Sequence, residues 1–316
     1  MMVWGLAGLG LLILLLAGDA LVKGAVNLSL RVGIPALIVS LTIVAFGTSA
    51  PELLIGINAV LDGKPGLALG NVVGSNTANI LLVLGIPAII SVLHTSQCDT
   101  KKSFNFMIAG SVLFIALAFR GTFDWISGVV LLAALAYVLF DAFRDALRHR
   151  AEAAAVLEVE EVEGADPDMA WWQIILFLAL GLVGLPLGAD ILVDNASIIA
   201  RQYGVSDSVI GLTLVALGTS LPELATTVMA ALRRQADVAL GNVIGSNMFN
   251  LLAIIGITAM VGPMSVDPEF LQFDLWVMLG ASLLLIPFVY MGRDIGRIWG
   301  VGLTVSYLVY VTAVLL

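Results

Sequence analysis

The sequence predicts an all-α integral membrane protein in which ten transmembrane helices form two inverted-topology repeats of five. Three observations lead to this fold class. The chain is 60% hydrophobic and only 12% charged, about half the charged fraction of a soluble domain. Ten apolar segments approach the roughly 20 residues that a helix needs to cross a bilayer. Finally, two polar motifs each occur twice in the chain, and one offset relates both pairs.

The composition argues against several kinds of partner. No basic tract with interleaved aromatic residues occurs, so we expect no nucleic-acid binding. Cys98 is the only cysteine, which excludes an intrachain disulfide. A chain this apolar needs the lipid bilayer as its solvent, and we expect a multi-pass protein of the cell (inner or plasma) membrane. No resident cofactor is expected, and the sequence leaves the oligomeric state open.

The ten helices are predicted in order along the chain, at 3–29, 34–60, 66–92, 104–120, 124–146, 171–198, 206–232, 237–262, 271–291 and 296–315. A hydrophilic stretch rich in glutamate separates the fifth from the sixth. We therefore predict a first five-helix repeat at 1–147, a cytoplasmic acidic linker at 148–170 and a second five-helix repeat at 171–316.

The two halves repeat one another. Shifting the chain by 171 positions (218 − 47) lays the motif G-T-S-x-P-E at 47–52 on its copy at 218–223. The same shift lays G-N-V-x-G-S-N-x-x-N at 70–79 on its copy at 241–250. Because five is odd, successive repeats cross the membrane in opposite directions, which is a common design of secondary transporters. Most Lys and Arg residues then collect on the side of the linker, which predicts that both termini are outside.

Two acids stand at equivalent positions inside apolar helices. Glu52 and Glu223 would each cost at least about 3 kcal/mol at the bilayer centre if they were unpaired. No Lys or Arg is predicted at the same depth, which disfavours a structural ion pair. Pro51 and Pro222 remove a helical hydrogen bond beside each acid, so the backbone carbonyls around Ala45 to Thr48 and Ala216 to Thr219 are expected to lose their helical partners and to become available to a cation.

Further oxygen ligands accompany these acids. The hydroxyl groups come from residues in both motifs, namely Thr48, Ser49, Ser75, Thr219, Ser220 and Ser246. Asn79 and Asn250 lie one helical turn beyond the serines of the second motif. Carboxylate, hydroxyl, amide and carbonyl oxygens suit Ca²⁺ or Na⁺ rather than zinc or copper. The sequence therefore predicts a site for a hard cation.

The two motifs resemble the alpha repeats of the cation/calcium exchanger superfamily, and the chain is most similar to the prokaryotic sodium/calcium exchangers. The resemblance implies a secondary antiporter and not an enzyme, with Ca²⁺ and Na⁺ competing for one midplane site. It implies Ca²⁺ ligation by Glu52, Glu223 and the carbonyls of Thr48 and Thr219. It also implies two sodium sites, one formed by Glu52, Ser75, Ala216, Thr219 and Ser220, the other by Ala45, Thr48, Ser49, Glu223 and Ser246. Asn79 and Asn250 would border the centre.

Two alternatives to sodium coupling stay open. Several relatives carry an aspartate at the position of Asn250, and the potassium-dependent members depend on a carboxylate there. The asparagine therefore disfavours K⁺ dependence, while the absence of the acidic motif of the proton-coupled branch disfavours H⁺ coupling. A cation channel would also use acids, but channels usually assemble a pore from several subunits.

A second pair of acids, Asp19 and Asp190, is also related by the shift of 171 positions. We expect these aspartates to have interfacial or structural roles. Lys23 follows Asp19 by four residues, a spacing that predicts an ion pair on one helix face. Asp194 occupies the matching position in the second half, so the same pair cannot form there.

Overall fold

The protein is described here by a computed structural model, which covers residues 2–153, 166, 168–204 and 216–315. In these residues the fold is helical, with one two-stranded sheet. We label the helices α1 (Met2–Val32), α2a (Ala36–Thr48), α2b (Ala50–Leu61), α3 (Pro65–Ile90), α4 (Lys101–Ala118), α5 (Trp125–Ala153), α6 (Trp171–Gln202), α7 (Leu221–Leu232), α8 (Ala236–Val261), α9 (Phe270–Tyr290) and α10 (Arg297–Leu315).

Among the described residues, eight helices are long and apolar enough to cross a membrane, or nine if α2a and α2b form one bent span. The helix predicted at 206–232 falls partly on residues 205–215, which lie outside the described residues. Its described part, α7, is a 12-residue apolar helix. The structure thus confirms an all-helical protein with several membrane-spanning helices, and the count of ten stays a prediction.

The fifth helix extends further than predicted. It was expected to end at 146, but α5 continues to Ala153, inside the stretch predicted as the linker. Alanine, arginine and glutamate are strong helix formers, so the helix can continue after the chain turns hydrophilic. Most of the remaining linker lies outside the described residues.

Helices α1 and α6 form a long pair through small residues. A Cβ on Gly10 would lie 2.6 Å from the backbone nitrogen of Leu192, and one on Gly181 would lie 2.5 Å from Cβ of Leu21. These contacts are reciprocal, because the shift of 171 positions takes Gly10 to Gly181 and Leu21 to Leu192. Glycine at both crossings lets the two backbones approach closely.

Two short β contacts connect the halves at their ends. Phe123 pairs with Met264 in an antiparallel ladder that joins the α4–α5 and α8–α9 connections. Leu93 pairs with Ile295 in an isolated bridge that joins the α3–α4 and α9–α10 connections. The shift of 171 positions takes Leu93 to Met264, so each half contributes the same segment to one contact.

The centre of the molecule is formed by α3 and α8, of which α8 is almost entirely buried. Each contains a π-helical stretch, Asn79–Val83 in α3 and Phe249–Ile254 in α8, and α2a contains a third at Ser40–Val44. Stretches of π-helix are rare and often occur at functional sites. The sequence analysis did not predict them, because they depend on how neighbouring helices pack.

Candidate cation site

The G-T-S-x-P-E motifs form helix breaks with matching geometry. Ser49 has φ −85° and ψ 4°, and Ser220 has φ −88° and ψ 1°, both outside the helical range. Pro51 and Pro222 then lie in the first turn of α2b and of α7, where proline needs no backbone donor. The bend between α2a and α2b is 42°, so the predicted opening of this helix is confirmed.

Each break places one glutamate in the first turn of the following helix. Glu52 is 1% exposed and Glu223 is fully buried. Neither oxygen of Glu52 has a hydrogen-bond partner among the described residues, and neither does Oε2 of Glu223. A buried carboxylate without a partner is strongly unfavourable, so these oxygens are available as candidate ligands for a cation.

Glu223 is held by both halves of the chain. Its Oε1 accepts hydrogen bonds from Oγ of Ser49 at 3.2 Å and from Oγ of Ser246 at 3.3 Å. Its backbone carbonyl accepts from Oγ1 of Thr227 at 2.7 Å and from Nδ2 of Asn242 at 3.3 Å. These contacts fix the position of one carboxylate oxygen and leave the other open.

Thr48 lies beside this cluster, within hydrogen-bond distance of Asn242 Oδ1 (3.3 Å) and of Ser246 Oγ (3.4 Å). Its hydroxyl also donates to the carbonyl of Ala45 at 3.3 Å, and the backbone N–H of Ser49 donates to the same carbonyl at 3.0 Å. The expectation that the Ala45 carbonyl loses its intrahelical partner is therefore wrong. The reason is that the helical bonds persist up to Ser49 and are interrupted only after it.

The equivalent residues of the other repeat make fewer hydrogen bonds. Ser75 and Ser220, which correspond to Ser246 and Ser49 under the shift, have hydroxyl oxygens without a partner among the described residues. Thr219 Oγ1 lies 3.5 Å from Asn71 Oδ1. Ala216 begins a short helical turn directly before the break, and only its backbone is described. Ser49 and Ser246 thus bond to Glu223, whereas their equivalents Ser220 and Ser75 make no hydrogen bond to Glu52.

Four asparagines lie between α3 and α8. Asn76 Nδ2 donates to the carbonyl of Asn247 at 3.2 Å, and Asn247 Nδ2 donates to the carbonyl of Asn76 at 3.3 Å. The two residues are 171 positions apart, so the bonds are related by the repeat. Asn79 Nδ2 donates to Asn247 Oδ1 at 3.0 Å, whereas Asn250 has no partner on either side-chain atom within the described residues.

Sequence reasoning missed several residues of this site. Asn242, Thr227, Asn76 and Asn247 connect the predicted ligands to one another but were not predicted as site residues. The asparagines were visible as invariant positions of the duplicated G-N-V-x-G-S-N-x-x-N motif. A polar residue that occurs twice at equivalent depth in an apolar helix could have been included for the same reason as Asn79.

We expect Asn247→Ala to destabilise the centre of the protein. The change removes the two buried hydrogen bonds made by the Asn247 side chain and leaves the Asn79 amide without the acceptor it has in Asn247, at a cost of about 1–3 kcal/mol for an unsatisfied group. Thermal unfolding in detergent should show a lower melting temperature than Asn58→Ala, a matched change on the half-exposed face of α2b. Equal melting temperatures would contradict a structural role for Asn247.

The donor set indicates the type of cation. Within the described residues, no three His, Cys, Asp or Glu side chains group together in a metal-binding arrangement. The site instead combines two carboxylates with neutral hydroxyl, amide and carbonyl oxygens. Oxygen ligands of this kind fit Ca²⁺ and Na⁺, and two carboxylates balance the charge of one Ca²⁺.

A cavity of about 480 Å³ borders the two helix breaks. At its inner end it is lined by Pro51, Gly218, Thr219 and Pro222, next to the helix breaks. Along its wall it is lined by residues of α6, among them Ala189, Asp190, Val193, Asp194, Ser197 and Arg201.

A family of known proteins matches most of the chain. The family model described as sodium/calcium exchanger protein matches residues 2–143 and 173–316. The chain belongs to this family. The two matched segments contain both copies of each motif and all twelve predicted site residues.

Relatives cover almost the whole chain. The sodium/calcium exchanger MaX1 of Methanosarcina acetivorans is 33% identical over 338 residues, which cover 96% of this chain and 95% of the relative. The inner membrane protein YrbG of Escherichia coli is 32% identical over 302 residues, covering 95% and 93%. A structure of the sodium–calcium exchanger NCX_Mj, soaked with Na⁺ and Sr²⁺, aligns with a TM-score of 0.83 at 30% identity and covers 99% of this chain and 98% of that one.

Proposed function

We propose that this protein is a secondary antiporter that exchanges Ca²⁺ for Na⁺ across the cell membrane. The observation that carries the proposal is the group of buried oxygens without partners among the described residues, around the two helix breaks, which a bound cation would satisfy. Membership of the sodium/calcium exchanger family and the likeness to NCX_Mj support it. The family is one of transporters and not of enzymes.

In the proposed site, Glu52, Glu223 and the carbonyls of Thr48 and Thr219 bind Ca²⁺. One sodium site uses Glu52 with Ser75, Ala216, Thr219 and Ser220, and the other uses Glu223 with Ala45, Thr48, Ser49 and Ser246. Asn79 and Asn250 border the centre. Because both ions need the same two carboxylates, binding of one lowers the affinity for the other, and this competition couples their movements.

The fold that supports this mechanism is proposed to be two inverted repeats of five helices, at 1–147 and 171–316, joined by a cytoplasmic linker at 148–170. The reciprocal bonds between Asn76 and Asn247 and the reciprocal crossings of α1 and α6 support a two-fold relation between the halves. With this orientation, the cavity that contains Arg201 opens to the outside. Sliding of α1 and α6 against the remaining helices would move access to the inside.

Uptake of ⁴⁵Ca²⁺ by proteoliposomes tests the proposal, with sodium, potassium and proton gradients imposed separately. We expect an outward Na⁺ gradient alone to drive accumulation above equilibrium, because the ions compete for one site. A need for K⁺ together with Na⁺, or uptake driven by a pH gradient alone, would establish one of the alternative couplings. Equal flux without any counter-ion gradient would indicate a channel and contradict antiport.

A further inference from the structure

The two sides of the molecule are closed to different degrees. Helix α1 lies directly on α7, since a Cβ on Gly18 would be 3.0 Å from the backbone carbon and oxygen of Ala225. Under the shift of 171 positions, these residues become Ala189 and Leu54. Ala189 lines the cavity, and Leu54 is 63% exposed. Helix α1 is therefore in contact with α7, whereas the equivalent helices α6 and α2b are separated by the cavity.

An ion pair joins the closed contact. Asp19 in α1 accepts from Nε of Arg233, the residue that follows the last turn of α7, at 2.6 Å. Both side chains are about one-third exposed, 32% for Asp19 and 27% for Arg233. The predicted partner of Asp19, Lys23, is not the one observed, because Lys23 lies over the ring of Phe177 at 4.6 Å instead. The bond therefore connects α1 to the helix that carries Glu223.

The opposite side cannot form the same bond. The counterpart of Asp19 is Asp190, which lines the cavity, and the counterpart of Arg233 is Asp62, at the end of α2b. If α6 closed on α2b as α1 closes on α7, two carboxylates would face each other where the first side has an acid and a base. The counterpart of Gly18 is Ala189, which carries the Cβ that Gly18 lacks.

Two independent sequence differences thus favour the same conformation. We propose that Asp19, Arg233 and Gly18 form a latch that holds α1 on α7, so that the ion-free protein preferentially exposes its site through the cavity at Asp190. Asp19 and Arg233 are positioning residues in this role, since neither is itself a predicted ion ligand. The latch rests on the proposed function only in requiring two access states.

The effect of the latch is a change in the population of the two states. A partly exposed ion pair changes an equilibrium by about twofold to fivefold. The affinity measured from each side is reduced by the fraction of protein that is open to that side. A latch of this size therefore makes the site easier to load through the cavity and harder to load from the opposite face.

Cysteine accessibility measures these populations without any ion flux. Cys98→Ser removes the only native thiol, and Val193→Cys then places one reporter on the cavity wall. The rate of labelling by a membrane-impermeant maleimide is measured on purified protein in buffer free of Na⁺ and Ca²⁺. We expect Asp19→Asn and Arg233→Gln each to slow labelling by up to about twofold, because a twofold to fivefold change in the equilibrium lowers the open fraction by less than this when the open state predominates.

Three further variants separate the latch from a general loss of stability. The swapped pair, Asp19→Arg with Arg233→Asp, should restore the rate. Asp62→Arg supplies the missing base opposite Asp190 and should slow labelling although Asp19 and Arg233 are intact. Asp141→Asn breaks the ion pair with Lys102, which joins α4 to α5 within one half, and should leave the rate unchanged.

Unchanged labelling in Asp19→Asn, Arg233→Gln and Asp62→Arg would overturn the proposal. Slow labelling that the swapped pair fails to restore would overturn the assignment to this ion pair. The labelling rate tests the latch without any assumption about which ions the protein transports. If the labelling follows the latch but no gradient drives ⁴⁵Ca²⁺ uptake, the antiport proposal fails and the latch stands.

Discussion

Replacing Glu52 or Glu223 by glutamine should reduce sodium-driven ⁴⁵Ca²⁺ uptake to background. Glutamine keeps the shape and one neutral oxygen but removes a negative charge from a fully buried position. Two unit charges about 4 Å apart interact by about 4 kcal/mol at an effective dielectric constant of 20. Such a loss weakens binding about a thousandfold. Either carboxylate alone would thus be insufficient for Ca²⁺.

The matched control is Asp267→Asn, which neutralises an exposed acid in the α8–α9 connection. We expect this variant to take up ⁴⁵Ca²⁺ at the normal rate. Thermal unfolding distinguishes lost binding from lost folding. A ligand at 100 times its Kd stabilises the folded state by about 2.7 kcal/mol. We expect Ca²⁺ to raise the melting temperature of the original protein and of Asp267→Asn, but not of the two glutamine variants. Near-normal uptake in both glutamine variants would refute the assignment of the site.

The glutamates also show what a sequence of this kind can predict. Their depth in apolar helices, their duplication and the adjacent prolines together indicated a cation site at the helix breaks. The structure places both acids in the first turn after a break and buries them. These features are local, because a proline at a given position interrupts its own helix whatever the rest of the fold does.

Features that depend on tertiary packing were not predictable in this way. Asp19 was expected to pair with Lys23, four residues away, but it pairs with Arg233, 214 residues away. Spacing along one helix identifies a possible partner but does not exclude a better one on a neighbouring helix. The π-helical stretches of α2a, α3 and α8 were also unpredictable from the sequence, because no hydrophobic periodicity distinguishes them from ordinary α-helix.

The two glutamates differ in their hydrogen bonding, which the duplicated motif did not predict. Ser49 and Ser246 bond to Glu223, whereas their equivalents Ser220 and Ser75 leave Glu52 unbonded. A duplicated motif predicts two equal clusters. A transporter that opens to one side at a time must hold its two repeats in different conformations, so this inequality is a property of the conformational state and not of the motif.

Gly245→Ala should reduce both stability and transport, because this glycine is where α8 crosses α2a. An added Cβ would lie 2.5 Å from the carbonyl oxygen of Leu41 and 2.6 Å from Cβ of Ala45. Neither atom is at the end of a flexible side chain, so the backbones must separate. Overpacking of this kind typically costs about 1–3 kcal/mol. Separation would also move Ala45, a proposed sodium ligand, away from Ser246.

Gly302→Ala in α10 is the matched control, since no described atom lies within 4 Å of the added carbon. That change should leave the melting temperature and uptake near their original values, or raise stability slightly because alanine favours a helix. For Gly245→Ala we expect a lower melting temperature together with a higher Na⁺ concentration for half-maximal competition against ⁴⁵Ca²⁺. If the melting temperature fell while Na⁺ competition stayed the same, the close crossing of α8 and α2a would be structural only, and Ala45 would lose its support as a sodium ligand.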